Sequence, residues 1–232
     1  MSHDATDAVA PQSLPDATSR AAERYAFAVV LPLWMAAGSL DYVLHRGSRI
    51  ESTSGTHESR LHAAGIAVSA VPVLGGLLLE IDAGALAAMV AGYVAHVGMT
   101  VWDIAYVDGR RRIVPLEQHV HAMLELLPFT ALSLLTIAHR DQALALVGRG
   151  EVRARLQLRF KRRPIPARAL TATIVAFAAF VALPYAEELL RCVRYERKRA
   201  VFGADPPRDH REVERSEKQR VPHEPEREAY AR

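Results

Sequence analysis

Cysteine is nearly missing from this chain: Cys192 is the single one among 232 residues. An internal disulfide is therefore excluded, and so are zinc–thiolate and iron–sulfur sites, which need several thiolates. Aromatic residues are also scarce, at 6%, and no glycine-rich dinucleotide fingerprint occurs. An enzyme with this sequence would have to obtain reducing equivalents from a partner.

Hydrophobic residues, by contrast, make up half of the chain and fall in five blocks. Each block can cross about 30 Å of hydrocarbon with modest tilt or with help from flanking residues. The near-zero mean hydropathy also fits a soluble helical protein, but polar tails outside the blocks pull that average down. We therefore predict an all-α fold, a multi-pass membrane helical bundle with about five transmembrane helices. The blocks cover residues 25–45, 63–79, 83–102, 117–138 and 169–186.

The two ends of the chain differ from these blocks in composition. Residues 1–20 are rich in Asp, Ala, Ser and Pro, and residues 201–232 are highly charged with few apolar residues. Such segments cannot bury enough apolar surface to fold by themselves. The sequence therefore predicts a disordered tail at each end and a transmembrane helical domain over residues 21–200.

Lysine and arginine counts in the short loops predict the orientation of the bundle. Basic residues follow the first block at 46–60, the third at 109–112 and the fifth at 191–199, whereas the loop at 80–84 has none. This distribution places the first and third loops and the C-terminus in the cytoplasm, with the N-terminus outside. The predicted location is a bacterial-type inner membrane.

One basic segment, residues 139–168, conflicts with this orientation because it should lie outside. Residues 152–160 alternate apolar and polar side chains, which favours a strand or an extended ribbon lying on lipid headgroups. A re-entrant fourth helix would equally remove the conflict, and both explanations stay open. A nucleic-acid partner is not expected, because the segment lies between membrane spans and lacks interleaved aromatic residues.

Ionisable residues inside the apolar blocks are the most unusual feature of the sequence. In "PLEQHVHAMLELLP", residues 115–128, Glu117, His121 and Glu125 follow one another at spacings of four. Spacings of three, four or seven keep side chains on one face of a helix. Four helices therefore each present one polar stripe, and we predict that these four line a metal site. The candidate ligands are Asp41, His45, Glu58, His62, His96, Asp103, Glu117, His121 and Glu125.

The candidates also sort by depth, because helices one and three run toward the cytoplasm while two and four run away from it. With a rise of about 1.5 Å per residue, a first layer lies at the cytoplasmic mouth, a second one turn deeper and a third deeper still. All candidates are thus expected near the cytoplasmic face. In order, the layers are His45, Glu58, Asp103 and Glu117, then Asp41, His62 and His121, then His96 and Glu125.

Charges within a bilayer are costly and usually face a bundle interior, where they pair or serve function. The few arginines available cannot neutralise this many acidic groups, whereas divalent metal ions can. A mixed imidazole and carboxylate set suits iron, manganese or zinc. One catalytic zinc needs about three protein ligands plus water, so this larger set fits two ions better. Two iron ions are the predicted cofactor, with zinc or manganese as alternatives.

The four-helix arrangement lined by Glu and His resembles the ferritin-like di-iron carboxylate proteins, whose paired ligands project inward from a bundle. In a membrane it is similar to the integral-membrane non-haem di-iron hydroxylases and desaturases. The resemblance is one of architecture and covers residues 41–125. It departs in detail, because "ESRLH" and "EQHVH" have three residues between Glu and His instead of two, and the His-rich boxes of the desaturases are missing.

The resemblance implies an oxidoreductase that uses oxygen to hydroxylate or desaturate a lipophilic substrate. Its expected partners are membrane lipids, the lipophilic small molecule and an external electron donor. Three alternatives stay open: a membrane zinc-dependent hydrolase of a lipid amide or ester, a bis-histidine haem protein, and a metal-ion or proton transporter.

The remaining ionisable residues near the stripes are expected to have lesser roles. His119 leaves the main stripe of its helix, and His57 precedes the second helix. The three arginines of residues 110–112 are interpreted first as topology determinants. Helix five carries Glu187 and Glu188 near its cytoplasmic end, and the sequence does not decide whether this helix completes the site.

Overall fold

The computed structural model describes residues 14–203 of the chain. Most of both predicted disordered tails, residues 1–13 and 204–232, lies outside the described residues. Residues 14–20, which the sequence assigned to the N-terminal tail, are helical and form the start of the first helix.

Eight α-helices follow one another in the described range, with a 3-10 helix at Ile50–Ser52. Two π turns, Ala26–Val30 and Ala178–Ala182, join helices end to end. The helices are α1 (Leu14–Tyr25), α2 (Leu31–Gly47), α3 (Gly55–Leu78), α4 (Ala83–Val107), α5 (Pro115–Ala138), α6 (Arg140–Leu146), α7 (Ala167–Phe177) and α8 (Leu183–Phe202).

Five helical units of the described chain are long and apolar enough to cross a membrane. The first span is α1 and α2 joined by a π turn, and α3, α4 and α5 are the second, third and fourth. The fifth span is α7 and α8, again joined by a π turn. Helix α2 packs along α5, and α3 packs along both α4 and α8. The predicted all-α bundle with five spans is therefore confirmed.

The two π turns precede Pro32 and Pro184. Proline has no N–H, and its ring clashes with the carbonyl four residues earlier, so the helix widens just before it. The carbonyl of Phe180, four residues before Pro184, accepts a hydrogen bond from Ser39 Oγ of the first span at 2.7 Å. The carbonyl released by the proline thus joins the first and fifth spans.

Polar side chains lie inside the bundle and apolar side chains cover its outer surface, which is the opposite of a water-soluble bundle. His45, Glu58 and Glu188 are fully buried. On the outer surface, Val94 is 62% exposed and Ile137 is 70% exposed. Large exposed apolar surfaces mark contact with a partner or with lipid. On helices of this length, such a surface fits a lipid-facing exterior around a polar interior.

The fourth span is a continuous helix that traverses the bundle, so the re-entrant alternative is wrong. It starts at Pro115, beside the polar residues, and ends at Ala138. The Ala138 carbonyl accepts a hydrogen bond from Ser19 Oγ, near the start of the first span, at 2.8 Å. The connection between the fourth and fifth spans therefore lies at the opposite end of the bundle from the polar residues.

This connection includes the extended ribbon predicted for residues 152–160. Phe160 forms an isolated antiparallel bridge with Leu79, and Glu80 N donates to the Arg159 carbonyl at 2.8 Å. Among residues 14–203 the ribbon forms no regular strand. It lies instead against the short loop between the second and third spans.

Acidic residues neutralise part of the positive charge of the basic segment. Arg155 and Arg159 contact the two oxygens of buried Asp82 at 2.6 and 2.5 Å. The hydrogen bond to Asp82 raises the pKa of Arg159 above its ordinary value. Lys161 pairs with Glu23 at 2.6 Å. The conflict with the positive-inside distribution is therefore smaller than the count of basic residues suggests.

Candidate metal centre

One end of the bundle brings together ionisable side chains from all five spans. Seven of the nine predicted ligands lie here, in groups whose ligand atoms are within 4.8 Å of one another. The fifth span also contributes, so the predicted four lining helices become five. The cluster consists of Asp41 and His45 from the first span, Glu58 and His62 from the second, Asp103 from the third, Glu117 and His121 from the fourth, and Glu188 from the fifth.

The first ligand group joins the first and fourth spans. His45 Nε2 lies 3.3 Å from Glu117 Oε1 and 3.6 Å from Asp41 Oδ2. His121 Nε2 lies 3.1 Å from Asp41 Oδ1. The two spans run in opposite directions, so a spacing of four on each brings Glu117 opposite His45 and His121 opposite Asp41.

The second ligand group joins the second and third spans. His62 Nε2 lies 3.3 Å from Asp103 Oδ2 and 3.8 Å from Glu58 Oε1. The same oxygen of Glu58 is 4.0 Å from His45 Nε2 of the first group. The two groups therefore adjoin, with Glu58 between them.

Glu188 links the two groups from the other side of the histidine rings. Its Oε2 lies 3.2 Å from His45 Nδ1, and its Oε1 lies 3.0 Å from His62 Nδ1. A carboxylate accepts hydrogen bonds, so it favours a hydrogen on each Nδ1 and leaves each Nε2 as the ligand nitrogen. The two rings stack with centroids 4.5 Å apart and 4° between their planes.

Arg111 lies between the glutamates of the two groups. Its Nη2 is 2.6 Å from Glu58 Oε1 and 2.5 Å from Glu117 Oε1. Burial lowers the pKa of Arg111, but hydrogen bonds to Glu117 and Glu58 outweigh burial and hold it above its ordinary value. The interpretation of Arg111 as a topology determinant missed this role, because a loop residue has no helical spacing that relates it to a stripe.

Hydroxyl groups hold two of the carboxylates in place. Tyr185 Oη donates to Asp41 Oδ2 at 2.8 Å. Ser54 Oγ donates to Glu58 Oε2. Tyr185 and Glu188 are three residues apart and so share one face of the fifth span. No histidine accompanies them, which is why the sequence did not reveal this face as part of the site.

The cluster contains more negative charge than Arg111 neutralises. With neutral histidines, five carboxylates and one guanidinium leave four negative charges. Protonating all three histidines would leave one, but it would stack two cationic rings 4.5 Å apart. At that distance like charges repel by about 4 kcal/mol for an effective dielectric constant near 20. Two divalent ions balance the charge without this repulsion. The carboxylates are those of Asp41, Glu58, Asp103, Glu117 and Glu188.

Three potential ligand atoms of the cluster are buried and have no hydrogen-bond partner among the described residues. They are Asp41 Oδ1 and His45 Nε2 in the first ligand group and Asp103 Oδ1 in the second. Leaving a buried polar atom unpaired costs about 1–3 kcal/mol. Coordination of cations would satisfy all three atoms, so the residues present fit a metal centre of two ions.

His96 and Glu125, both predicted ligands, lie outside the ligand groups of the described chain. The Nδ1 of His96 pairs with Ser69 Oγ at 2.9 Å, and Glu125 is half-buried on the fourth span. Their position along the helices explains why these two residues do not reach the cluster. Glu125 is eight residues beyond Glu117 and His96 is seven before Asp103, which separates each pair by about 10–12 Å along the helix.

The histidines that the sequence set aside are indeed away from the cluster. His119 is exposed, and its Nδ1 pairs with the Pro115 carbonyl at 2.9 Å. His57 is also exposed and packs on Tyr106, with ring centroids 4.2 Å apart. Both therefore offer matched controls for substitutions within the cluster.

Comparison of the chain with family models, curated proteins and solved structures finds no match. The resemblance to di-iron proteins therefore rests on ligand types and their arrangement. Function has to be inferred from the chemistry of the site.

Proposed function

We propose that this protein is a membrane-embedded oxidoreductase that holds two iron ions and uses oxygen to hydroxylate or desaturate a lipophilic substrate. The observation that carries the proposal is the stacked pair His45 and His62, held by Glu188 and facing two separate carboxylate groups.

Each of the two ligand groups would bind one metal ion. One ion would be held by the first group and the other by the second, and Glu58 Oε1 lies within about 4 Å of the Nε2 atoms of both His45 and His62. Imidazole and carboxylate ligands without thiolate are compatible with iron, manganese and zinc. Iron is preferred because oxygen chemistry suits a site in apolar surroundings. The groups are Asp41, His45, Glu117 and His121, and Glu58, His62 and Asp103.

When bound, the irons would supply oxygen activation. Hydroxylation of a carbon–hydrogen bond takes one oxygen molecule, two electrons and two protons, and yields an alcohol and one water. Desaturation takes the same inputs, removes two hydrogens from the chain and yields two waters. The sequence has no dinucleotide fingerprint, so an external donor would deliver the electrons.

The side chains around the ligands have separate tasks. Glu188 fixes the direction of His45 and His62, and Tyr185 fixes Asp41. Arg111 keeps Glu58 and Glu117 close together despite their like charge. Apolar walls limit the access of water to reactive species.

The proposal includes a location in a bacterial-type inner membrane, with the N-terminus outside and the metal centre near the cytoplasmic face. It is supported by the basic runs at 46–60 and 109–112, in loops at the site end, and at 191–199, in the part of the fifth span beyond Glu188. Cys192 is buried, so single exposed cysteines can report sidedness. We expect R149C to react with an impermeant maleimide in intact cells, and R112C to react only after permeabilisation.

The test of the activity compares lipids extracted from cells that produce the unmodified protein, H121A or H119A. We expect a lipid product that has gained one oxygen or lost two hydrogens in the unmodified and H119A cells, and its loss in H121A. The product should need oxygen, and a hydroxyl oxygen should be labelled by isotopic oxygen gas. Formation in H121A or without oxygen would contradict the proposal, and an oxygen-independent cleavage product would indicate a hydrolase.

A further inference from the structure

A cavity adjoins the candidate metal centre. His62, Asp103 and His121 line its polar end, and its remaining walls are mainly apolar. We call this space the upper cavity.

A second cavity, the lower cavity, lies farther from the centre. Its walls are almost entirely apolar and include Phe27, Met89 and Leu132. Trp34, Ser69 and His96 line both cavities. The two cavities therefore adjoin at these three residues and follow one another along the bundle.

The combined length of the two cavities follows from the helices that line them. Asp103 lines the upper cavity and Met89 lines the lower one. Both are on the third span, and the rise per residue separates them by about 21 Å. Trp34 lies between Asp41 and Phe27 on the first span, about 10 Å along the helix from each.

We propose that the two adjoining cavities bind one hydrocarbon chain of a single-chain lipid, with its apolar end in the lower cavity. The polar residues at one end and the apolar walls at the other match an amphiphilic molecule. An elongated space along the bundle suits one chain better than a broad ring system. Resting on the proposed function, this assigns the substrate class and places the oxidised carbon in the part of the chain nearer to the headgroup.

His96 has a distinct place in this site. Its Nε2 is buried without a hydrogen-bond partner among the described residues, and the ring lines both cavities. It is therefore placed to pair with a polar substituent near the middle of the bound chain, in addition to the apolar contacts that hold the chain itself.

The test uses fluorescence quenching of Trp34 by stearic acid labelled with a nitroxide at carbon 5, 12 or 16. The chain has two tryptophans, and Trp102 is 56% exposed, so W102F isolates the Trp34 signal. We expect saturable quenching that is strongest for the label at carbon 12, because Trp34 lies midway. Quenching that does not saturate, or that is equal for all three labels, would overturn the proposal.

A substitution pair provides the control. Ala131 lines the lower cavity, and Ala122 is exposed on the same span. In the W102F background, A131F should lower the affinity for labelled stearate at least tenfold, whereas A122F should leave it unchanged. Equal affinities would contradict the proposal. The profile of the three labels decides the matter independently if A131F does not fold.

The binding test needs neither metal nor turnover, so it separates this inference from the proposed function. Position-dependent quenching without metal binding or lipid oxidation would retain the chain site and reject the oxidoreductase. Lipid oxidation without saturable quenching would retain the oxidoreductase and reject the chain site.

Discussion

His45 and His62 come from different spans, yet their rings are parallel and their centroids are 4.5 Å apart. Glu188 bonds the Nδ1 of each ring, and their Nε2 atoms face different carboxylates. The proposed pair of cation positions rests on this relationship. The same relationship makes Glu188 the residue on which the direction of both ligands depends.

Replacing Glu188 by glutamine should weaken metal binding without removing a ligand. A glutamine oxygen can still accept from one histidine, but the amide nitrogen cannot accept from the other. Loss of such an orienting partner typically lowers metal affinity about 10- to 100-fold. Competition with a chelator measures the change.

Glu187 provides the matched control for this substitution. It precedes Glu188 but faces outward and pairs with Arg46 at 3.0 Å. The metal affinity of E187Q should equal that of the unmodified protein. An E188Q protein with unchanged affinity would show that Glu188 does not orient the two histidines.

Replacing Arg111 by alanine should destabilise the protein strongly. Glu58 and Glu117 would then face each other without the guanidinium that now bridges them. Removing one partner of a buried ion pair typically costs about 3–5 kcal/mol. Thermal unfolding in detergent measures the effect, with R112A at an exposed neighbouring position as control. Equal melting temperatures for R111A and R112A would contradict the assigned role of Arg111.

Replacing His96 by glutamine should leave the metal content unchanged, whereas H62Q should reduce it. His96 is paired with Ser69 at 2.9 Å and lies outside the ligand groups. Elemental analysis of the purified variants shows whether His96 is a metal ligand, as the sequence predicts, or is not, as its position in the structure indicates. Loss of metal in H96Q would support the assignment made from sequence.

Spacing within single helices accounts for the part of the site that the sequence could predict. Asp41 with His45, and Glu117 with His121, were recognised because a separation of four fixes a shared face before any tertiary contact is known. Because the first and fourth spans run in opposite directions, the two pairs lie at the same depth in the bundle. The five spans could also be predicted from the sequence, because a membrane span requires only sufficient length and an apolar composition.

Tertiary contacts account for what the sequence could not predict. Glu188 stands on a helix without another candidate ligand, and Arg111 stands in a loop, so neither has a periodic partner along the chain. Glu125 shares a stripe with Glu117 but lies about 12 Å deeper. A stripe shows which face a residue occupies, but only the packing of the spans shows how much of that face reaches one centre.

Replacing Gly84 by alanine should disrupt the opposite end of the bundle and leave the metal centre intact. An added Cβ would lie 2.1 Å from the Leu156 carbonyl oxygen, so the extended segment could not keep its position. Trypsin should then cleave the basic segment near Arg155 faster than in the unmodified protein. At Gly98 a Cβ meets nothing within 4 Å, so G98A is the control. Equal cleavage of both variants would contradict the close approach.

The central claim, a centre of two metal ions, is tested most directly by the metal content of the protein. Inductively coupled plasma mass spectrometry would be applied to detergent-purified protein from iron- and zinc-replete cells, beside an E117A/H121A double variant and an H119A control. We expect about two irons per chain in the unmodified and H119A proteins and their loss in the double variant. A single zinc per chain, or no metal in the unmodified protein, would contradict the claim.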